Sequence, residues 1–462
     1  MSMRQTPRAD PAERPTLTGL LAALSFALDL AEGQRFGHSL RSTLIAMGLA
    51  ERLDLDTGTR RDLFHAMLVK DIGGPGTSDA LCRLFGGDDR RAKHDLKRLD
   101  WRRWTDVVRY CAAHDADPRW FARTARSVTR AGSTPQLAAV LLEARATHGA
   151  ARVRELGLGE PVASAIEALD EHWDGGGRPR GLDGSAIPMI ARIASLAQSA
   201  EVCLALGGPQ GAFEMADDRR GRWFDPTLVS ALGTLGRELE AWTLLGEDDL
   251  LEAVLAREPG SASVLVGDGM FTRVARTYAR VTDSKSPWTD GHSERVAATA
   301  ERIARELDLG DRAIVAVRGA ALLHDLGKLS LPNSILDKQG PLSNEEWEAV
   351  RRQPYYTYRI LSRVRGLGRF ADNASSHHER IDGRGYFRGL RGDRIPLAGR
   401  ILAVADSFEA LITDRPFRPA FSEETALRLL ARDRDIGIDA ECHAALTRAL
   451  DIHTIEPLRR AA

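Results

Sequence analysis

The apolar stretch Ala320-Ala321-Leu322-Leu323 runs straight into His324-Asp325, and Leu326-Gly327-Lys328 follows at once. An imidazole and a carboxylate side by side at a helix end can turn into one cavity and share a metal cluster. A satisfied core histidine followed by a helix-end aspartate is the alternative this segment alone leaves open. Gly327 is expected to cap the helix. Four further groups bear on the choice: His292, the pair His377-His378, and Asp406 at the end of Ala403-Val404-Ala405-Asp406. Taken singly, His292 reads as a core or capping histidine and His377-His378 as a solvated helix end. Asp406 is different, because an unpaired carboxylate inside an apolar helix is costly and calls for a cation. Together the six form a set of imidazoles and carboxylates with no thiolate, which suits iron, manganese, zinc or magnesium. A carboxylate such as Asp325 can bridge two ions, and paired ions clamp both oxygens of a phosphoryl displacement. Lys328, one turn beyond the dyad, is placed to meet a phosphate or a developing charge.

The elements that must hold these groups are helical. From Thr16 onward apolar residues recur at spacings of three and four, as in Leu44, Met47, Leu49, Leu53 and in Val296, Ile303, Leu307. Alternating strand patterns are scarce, so the expected class is all-α. Residues 1–15 are polar and proline-bearing, an expected disordered lead-in. Ser343-Asn344-Glu345-Glu346 is a capping box opening a helix that Pro354 breaks or kinks, and Pro396 opens a long helix through about Ile412.

The chain also repeats itself. His38-Ser39-Leu40-Arg41 and His292-Ser293-Glu294-Arg295 lie 254 residues apart, and Met67-Leu68-Val69-Lys70-Asp71-Ile72-Gly73 matches Ala321-Leu322-Leu323-His324-Asp325-Leu326-Gly327 at that same offset. Asp174-Gly175-Gly176-Gly177 matches Asp382-Gly383-Arg384-Gly385 at an offset of 208, which holds through Ile187-Pro188 and Ile395-Pro396. The first copy therefore carries about 46 extra residues (254 − 208) between its second and third motifs. The expected division is copy one at 16–240, a helical linker at 241–274 with Gly260 and Gly267 as breakers, and copy two at 275–462. Copy one has lost the chemistry. Lys70 stands for His324, Gly74 for Lys328, Leu169-Asp170 for His377-His378 and Gln198 for Asp406, while His38 and Asp71 persist. It is expected to keep the fold without a two-metal site, either as a cover for copy two or as a regulatory domain that binds a ligand or partner.

Composition narrows the function classes. Of 462 residues 43% are hydrophobic, enough for ordinary cores, and no window reaches the ~18 uninterrupted apolar residues of a membrane span. With no secretory signal either, the expected compartment is the cytoplasm, with no membrane partner. Cys82, Cys111, Cys203 and Cys442 are scattered, which argues against a disulfide framework and a cysteine zinc site. A formal net charge of -1 gives no global field toward nucleic acid. The basic run Arg90, Arg91, Lys93, Lys97, Arg98, Arg102, Arg103 is interleaved with acidic residues and reads as a solvated helix face. The chain after Glu441 is too short for a DNA-binding helix-turn-helix, so any output is expected to be enzymatic or through protein contact. A homodimer is compatible with this reading and is not specified by it.

Over about residues 287–440 the chain resembles the HD-GYP subgroup of the HD-domain metal-dependent phosphohydrolases. The resemblance rests on His292-Ser293-Glu294-Arg295-Val296, Leu322-Leu323-His324-Asp325-Leu326-Gly327-Lys328, His377-His378-Glu379-Arg380-Ile381-Asp382-Gly383-Arg384-Gly385-Tyr386, and Asp414-Arg415-Pro416-Phe417-Arg418. It implies a tandem of HD-domain helical bundles, the second with a five-helix metal core. It implies hydrolysis of cyclic di-GMP or a related nucleotide by a hydroxide bridging two divalent ions, iron or manganese. His292, His324, Asp325 and Asp406 would hold one ion, and Asp325, His377 and His378 the other. Lys328 would assist catalysis with Asp325, and Tyr386, Arg415 and Arg418 would line the substrate side. Three positions depart from the family pattern. Gln353-Pro354 stands where a His-Pro is usual, and a neutral amide is a weaker ligand, so the second ion is expected to be held weakly. Phe387 replaces the proline of the Gly-Tyr-Pro motif, which bears on loop rigidity and substrate fit. Trp288 stands where a third ion would need an acid, so two ions are the maximum expected. The competing readings are a catalytically weak nucleotide or metal sensor working through protein partners, and another HD-superfamily nucleotide reaction.

Overall fold

A computed structural model describes residues 15–85, 87–97, 99–100, 103–114, 139–260, 264–415 and 418–452. The expected lead-in, apart from Pro15, lies outside the described residues, as do Arg98 and Arg102 of the basic run and Pro416-Phe417. Among the described residues all regular elements are helices, and extended backbone pairs only at isolated bridges such as Thr16 with Leu265. The all-α expectation is met.

Copy one is built around α1 (Leu17–Ala31), α2 (His38–Arg52), α3 (Thr57–Val69), α4 (Asp89–Leu96), α5 (Glu160–Glu167), α6 (Met189–Asp218) and α7 (Pro226–Gly233). Copy two is built around α8 (Asp268–Asp283), α9 (His292–Glu306), α10 (Asp311–Leu323), α11 (Gln353–Leu361), α12 (Gly368–Ala374), α13 (Leu397–Ile412) and α14 (Ala440–Ala449). The starts of α2 and α9, and of α3 and α10, are 254 residues apart (292 − 38 and 311 − 57), and those of α5 and α12, and of α6 and α13, are 208 apart (368 − 160 and 397 − 189).

The two copies also share their internal fastenings. Gly37 and Gly291 precede α2 and α9 with φ of 84° and 65°, a left-handed turn that a side chain would strain. Asp29 accepts from the backbone and hydroxyl of Ser39, and Asp283 does the same from Ser293. Glu171 accepts from the backbones of Arg180 and Leu182, and Glu379 from those of Arg388 and Leu390, so each glycine-rich loop is pinned alike. Arg192 bridges Asp225 at 2.8 Å and Arg400 bridges Asp439 at 2.7 Å. A carboxylate or arginine costly to bury alone is paired in each case.

Helix α8 runs across the expected boundary at 275 and holds in copy two the place that α1 holds in copy one. The match was hidden because α1 is buried on nearly every side, whereas α8 buries a single face. Gly327 does not cap α10, which ends at Leu323; it lies in a 3₁₀ turn, Leu326–Ser330. A glycine is required there because a Cβ would lie 2.0 Å from the Gln353 carbonyl oxygen, and Gly73 meets the Arg145 carbonyl at the same 2.0 Å. The basic run is a solvated face only in part. Arg91 and Arg103 are exposed, whereas Lys93 is buried on the Gly74 carbonyl (2.8 Å) and the half-buried Lys97 is spent on Asp71 (2.8 Å).

Because backbone cannot yield as a flexible side chain does, Gly327→Ala is expected to destabilise the fold by about 3 kcal/mol or more. Gly73→Ala should cost a similar amount. Denaturant unfolding of both variants checks this, and an unchanged midpoint for Gly327→Ala refutes the close approach.

The copies meet through α4. Asp89 is buried and accepts from Lys285 Nζ (3.0 Å) and from the backbone of Asn333 (2.8 Å), both in copy two, and Arg90 donates to the Ser330 carbonyl. Asn333 in turn donates to the Lys285 carbonyl at 2.6 Å. The α1 helix packs against the Leu326–Ser330 turn and α11. Among the described residues one helix, α6, is long and apolar enough to cross a membrane by length and composition; it carries Gln198 and Glu201 into the interior of copy one.

Candidate metal centre

Each expected ligand is delivered by an element end or a helix interior. His292 is the first residue of α9, fixed by the left-handed turn at Gly291. His324-Asp325 leave the end of α10, a helix buried over Gly319–Leu323. His377-His378 follow α12 at its last turn, and Asp406 sits in the middle of α13. All six converge. His292, His324 and Asp406 offer ligand atoms within 4.8 Å of one another, as do His324, Asp325 and His377, and again His377, His378 and Asp406. His292 Nε2 is 3.0 Å from Asp406 Oδ1 and 3.6 Å from Asp325 Oδ2. His324 Nε2 is 3.3 Å from Asp325 Oδ2.

The local hydrogen bonds fix the tautomers. His324 Nδ1 donates to the Ala321 carbonyl at 2.7 Å and His377 Nδ1 donates to the Ala374 carbonyl at 2.6 Å, so both turn Nε2 inward. Those inward atoms, His324 Nε2 and His377 Nε2, are buried without a hydrogen-bond partner, and so is Asp325 Oδ1. Two unpaired imidazole nitrogens and an unpaired carboxylate oxygen facing one space are what a divalent cation satisfies. The residues present fit a divalent metal.

The charge pattern agrees. Burial resists ionisation of Asp325, but His324, Lys328 and His292 hold its carboxyl below the usual carboxylate range. Burial also works against ionised Asp406, yet its bond with His292 and the nearby His324 ring keep it well below that range. Burial opposes a proton on His324, and Asp325 and Asp406 nonetheless push its pKa up to about 9. The carboxylates thus draw positive charge into the cluster. Burial, then His378 and His324, depress His377, and burial lowers His378 to about 4, which leaves both neutral and able to ligate.

Lys328 reaches back to Asp325 and lines a cavity of about 620 Å³. His378 and Gln353 border the same cavity, and Trp347 stands in its wall, 45% exposed. Tyr386 lies with its ring 4.8 Å from that of His378, and burial pushes its hydroxyl up to about 12. Phe387 packs between Tyr355 and Tyr358, at 5.8 Å from each, with Arg388 over it. Arg418 spends its guanidinium on the carbonyls of Ala410, Leu411 and Pro419 at the end of α13, and Arg415 joins it in a tight backbone pair. The arginines are therefore held together beside α13, with Arg418 acting first as its C-terminal cap.

Gln353 is 1% exposed. Its Nε2 donates to the His324 carbonyl at 3.0 Å and to Thr357 Oγ1 at 3.4 Å, and its Oε1 is buried without a partner. A carbonyl can only accept, so the amide orientation is determined and the oxygen faces away from the dyad backbone. Thr357 is a functional residue that the sequence reading missed. Its hydroxyl donates to the His324 carbonyl at 3.0 Å and accepts from the Gly327 backbone at 2.9 Å, which braces the turn between dyad and Lys328. A threonine inside a helix has no motif; the spacing Gln353 to Thr357 on one helix face was the available signal.

Copy one has the opposite chemistry at the same place. Lys70 contacts Asp71, which is also bridged by Lys97 (2.8 Å) and Arg145 (2.6 Å). Cations of the protein occupy the place of ions. His38 pairs with Glu201, which Arg41 also holds at 2.6 Å.

Comparison with known proteins agrees with both halves. The HD domain family profile matches residues 108–228 and 276–442. The 3'3'-cGAMP-specific phosphodiesterase 3 of Vibrio cholerae is 36% identical over 437 residues, covering 94% of this chain and 95% of that protein. A cyclic di-GMP phosphodiesterase of Thermotoga maritima is 42% identical over 144 residues, 30% of this chain and 39% of that protein. Among solved structures, that of a cyclic GMP-AMP specific phosphodiesterase from V. cholerae aligns with a TM-score of 0.66 and 32% identity, over 96% of this chain and 99% of the other.

Proposed function

The chain belongs to the HD-domain family, of the HD-GYP type, and from that premise we propose how it works: copy two hydrolyses a phosphodiester bond of a cyclic dinucleotide at the His292, His324, Asp325, His377, His378, Asp406 cluster. It is a metal-dependent phosphohydrolase of the cyclic dinucleotide phosphodiesterase type. The observation that carries the site is the set of three buried, unpartnered ligand atoms, on His324, Asp325 and His377, aimed into one space. A divalent ion held there lowers the pKa of water and neutralises phosphoryl oxygens. Two ions, iron or manganese, are our reading of the three overlapping triads.

The protein's own groups do the rest. His324 and His377 are locked by their Nδ1 bonds, so no reorientation is needed when metal or substrate arrives. Lys328 supplies a positive charge beside Asp325 in the cavity wall, where a phosphoryl oxygen would lie. The cavity beyond is lined by Leu331, Ile335, Leu342 and Val350, and Trp347 offers a face on which a base stacks. Water adds across one P–O bond: its oxygen goes to phosphorus, a proton goes to the leaving ribose oxygen, and a linear dinucleotide results.

The full-length similarity to a 3'3'-cGAMP-specific enzyme supports 3'3'-cGAMP as the preferred substrate over cyclic di-GMP. Incubation of metal-loaded protein with each dinucleotide tests this, and the expected result is a linear product, faster from 3'3'-cGAMP. No product from either under manganese or iron(II) sinks the hydrolase reading. Base stacking on an aromatic is worth about 1–3 kcal/mol, so Trp347→Ala should raise KM by about tenfold with kcat and metal content kept, and Trp347→Phe should restore it. A changed kcat with unchanged KM would remove Trp347 from the substrate pocket. A second reading, a sensor that binds nucleotide and acts through a protein partner, is favoured by Gln353 in the ligand shell; binding without product in the same assay selects it.

A further inference from the structure

We propose, on the hydrolase reading of copy two, that Glu247 is a positioning residue: acting through α11, it holds in place the turn that carries Lys328. Glu247 opens the helix Glu247–Leu255, and that helix is seated on copy one. Leu250 and Val254 are fully buried, and a Cβ added at Gly37, which precedes α2, would lie 2.8 Å from Leu250 Cδ2. The glutamate is therefore fixed to copy one while its carboxylate meets copy two. Both of its oxygens accept from Arg359 Nη2 (2.6 and 2.7 Å), and it accepts from Arg363 as well. The same two guanidiniums rest on rings of copy one. Arg359 lies 4.3 Å from the centroid of Phe36, and Arg363 lies 5.2 Å from that of Phe36 and 5.6 Å from that of Phe26. Phe26 and Phe36 are themselves stacked at 4.4 Å. Asp248 meets Arg363 at 3.4 Å from a side chain that is 89% exposed, so Glu247 is the carboxylate both arginines share.

Arg359 and Arg363 are four residues apart, so without Glu247 two like charges would face each other along one edge of α11. The opposite face of α11 meets the catalytic turn. Successive helical residues rotate by about 100°, so Thr357 lies about 200° round from Arg359. Gln353, four residues before Thr357, shares its face. Thr357 Oγ1 accepts from the Gly327 amide at 2.9 Å and donates to the His324 carbonyl at 3.0 Å, and Gln353 donates to that carbonyl at 3.0 Å. A Cβ at Gly327 would lie 2.0 Å from the Gln353 carbonyl oxygen, so turn and helix touch without slack. The helix is thus a wedge. Copy one grips one face, and the turn after His324-Asp325 lies against the other. A close-packed wedge passes a displacement on instead of absorbing it. Glu247 acts on geometry alone: it fixes where Lys328 and the dyad stand, which decides rate, and leaves the Trp347 wall, which decides substrate affinity, as it is.

The test compares the full chain with Glu247→Gln, Thr357→Val and the double variant. Arg52→Gln is the control, because the similarly exposed Arg52–Glu238 pair joins α2 to the helix Gly236–Thr243 and not to α11. Glu247→Gln should lower kcat for the preferred cyclic dinucleotide by about fivefold, the scale of a part-exposed ion pair. Its KM and its denaturant midpoint should match those of the control. The Gly327 amide hydrogen should exchange faster by a similar factor, since its acceptor sits on the loosened helix. Exchange needs no turnover, so a wild-type protein that yields no product refutes the hydrolase reading and leaves the wedge to be judged by the Gly327 amide. Thr357→Val should also lower kcat, and adding Glu247→Gln to it should cost little more, because both act through one contact. Unchanged exchange and kcat in Glu247→Gln overturn the proposal, as does a double variant whose losses multiply or an effect confined to KM.

Discussion

Asp325→Ala is expected to lower turnover by at least about 10³-fold and to strip metal from the protein in the same step. Asp325 uses its two carboxylate oxygens toward different histidines of the cluster. Oδ2 faces His292 and His324 at 3.6 and 3.3 Å, and Oδ1 lies 3.9 Å from His377 and is otherwise unpartnered. Its removal leaves four imidazoles and Lys328 around a single remaining carboxylate, Asp406, too little negative charge for two divalent ions. Metal analysis of the purified variant, read beside its rate, checks this. The comparison variant is Lys328→Met, which should lose rate while retaining metal, because Lys328 contributes charge and no ligand atom. An Asp325→Ala protein that keeps both metal and rate would place the chemistry elsewhere in the chain.

Gln353→His is expected to tighten binding of the second ion by about tenfold to a hundredfold, the range by which metal-site residues commonly act. The wild-type amide is oriented by the His324 carbonyl and Thr357, and offers one neutral oxygen. An imidazole at the same buried position can keep one nitrogen on the His324 carbonyl and turn the other inward, the arrangement already used by His324 and His377. The gain should be larger for iron(II) or zinc than for magnesium, since imidazole is the softer donor. Metal titration of stripped protein measures it; equal affinity for both proteins would mean that position 353 does not face the ions.

Much of this was legible in the residues. The dyad, His292, His377-His378 and Asp406 converge as their types demanded, because a carboxylate in an apolar helix has few other ways to exist. The duplication was readable wherever glycine, proline or buried polar residues recur, since those positions are dictated by backbone geometry. What was not legible depends on packing across the repeat. The α1/α8 pair escaped because one is buried all round and the other on one face. The pairing of Lys93 and Lys97 escaped because a basic run looks the same whether its partners are water or Glu32 and Asp71. Thr357 and the orientation of Gln353 are set by contacts from the turn after α10; their four-residue spacing put them on one face of α11 without saying what that face meets.

The contact between Asp89 and Lys285 has a historical consequence. Duplication of a gene is ordinarily reversible, because either half can be lost while the other continues as before. Here an ammonium group in one half is neutralised by a carboxylate in the other, and the Asn333 backbone beside it is held by that same carboxylate. A deletion that removed copy one would take away the counter-charge of Lys285 and bare the apolar side of the Leu326–Ser330 turn and α11 on which α1 packs. Once α4 had docked, the inactive half could lose its ligands freely, but it could no longer be discarded.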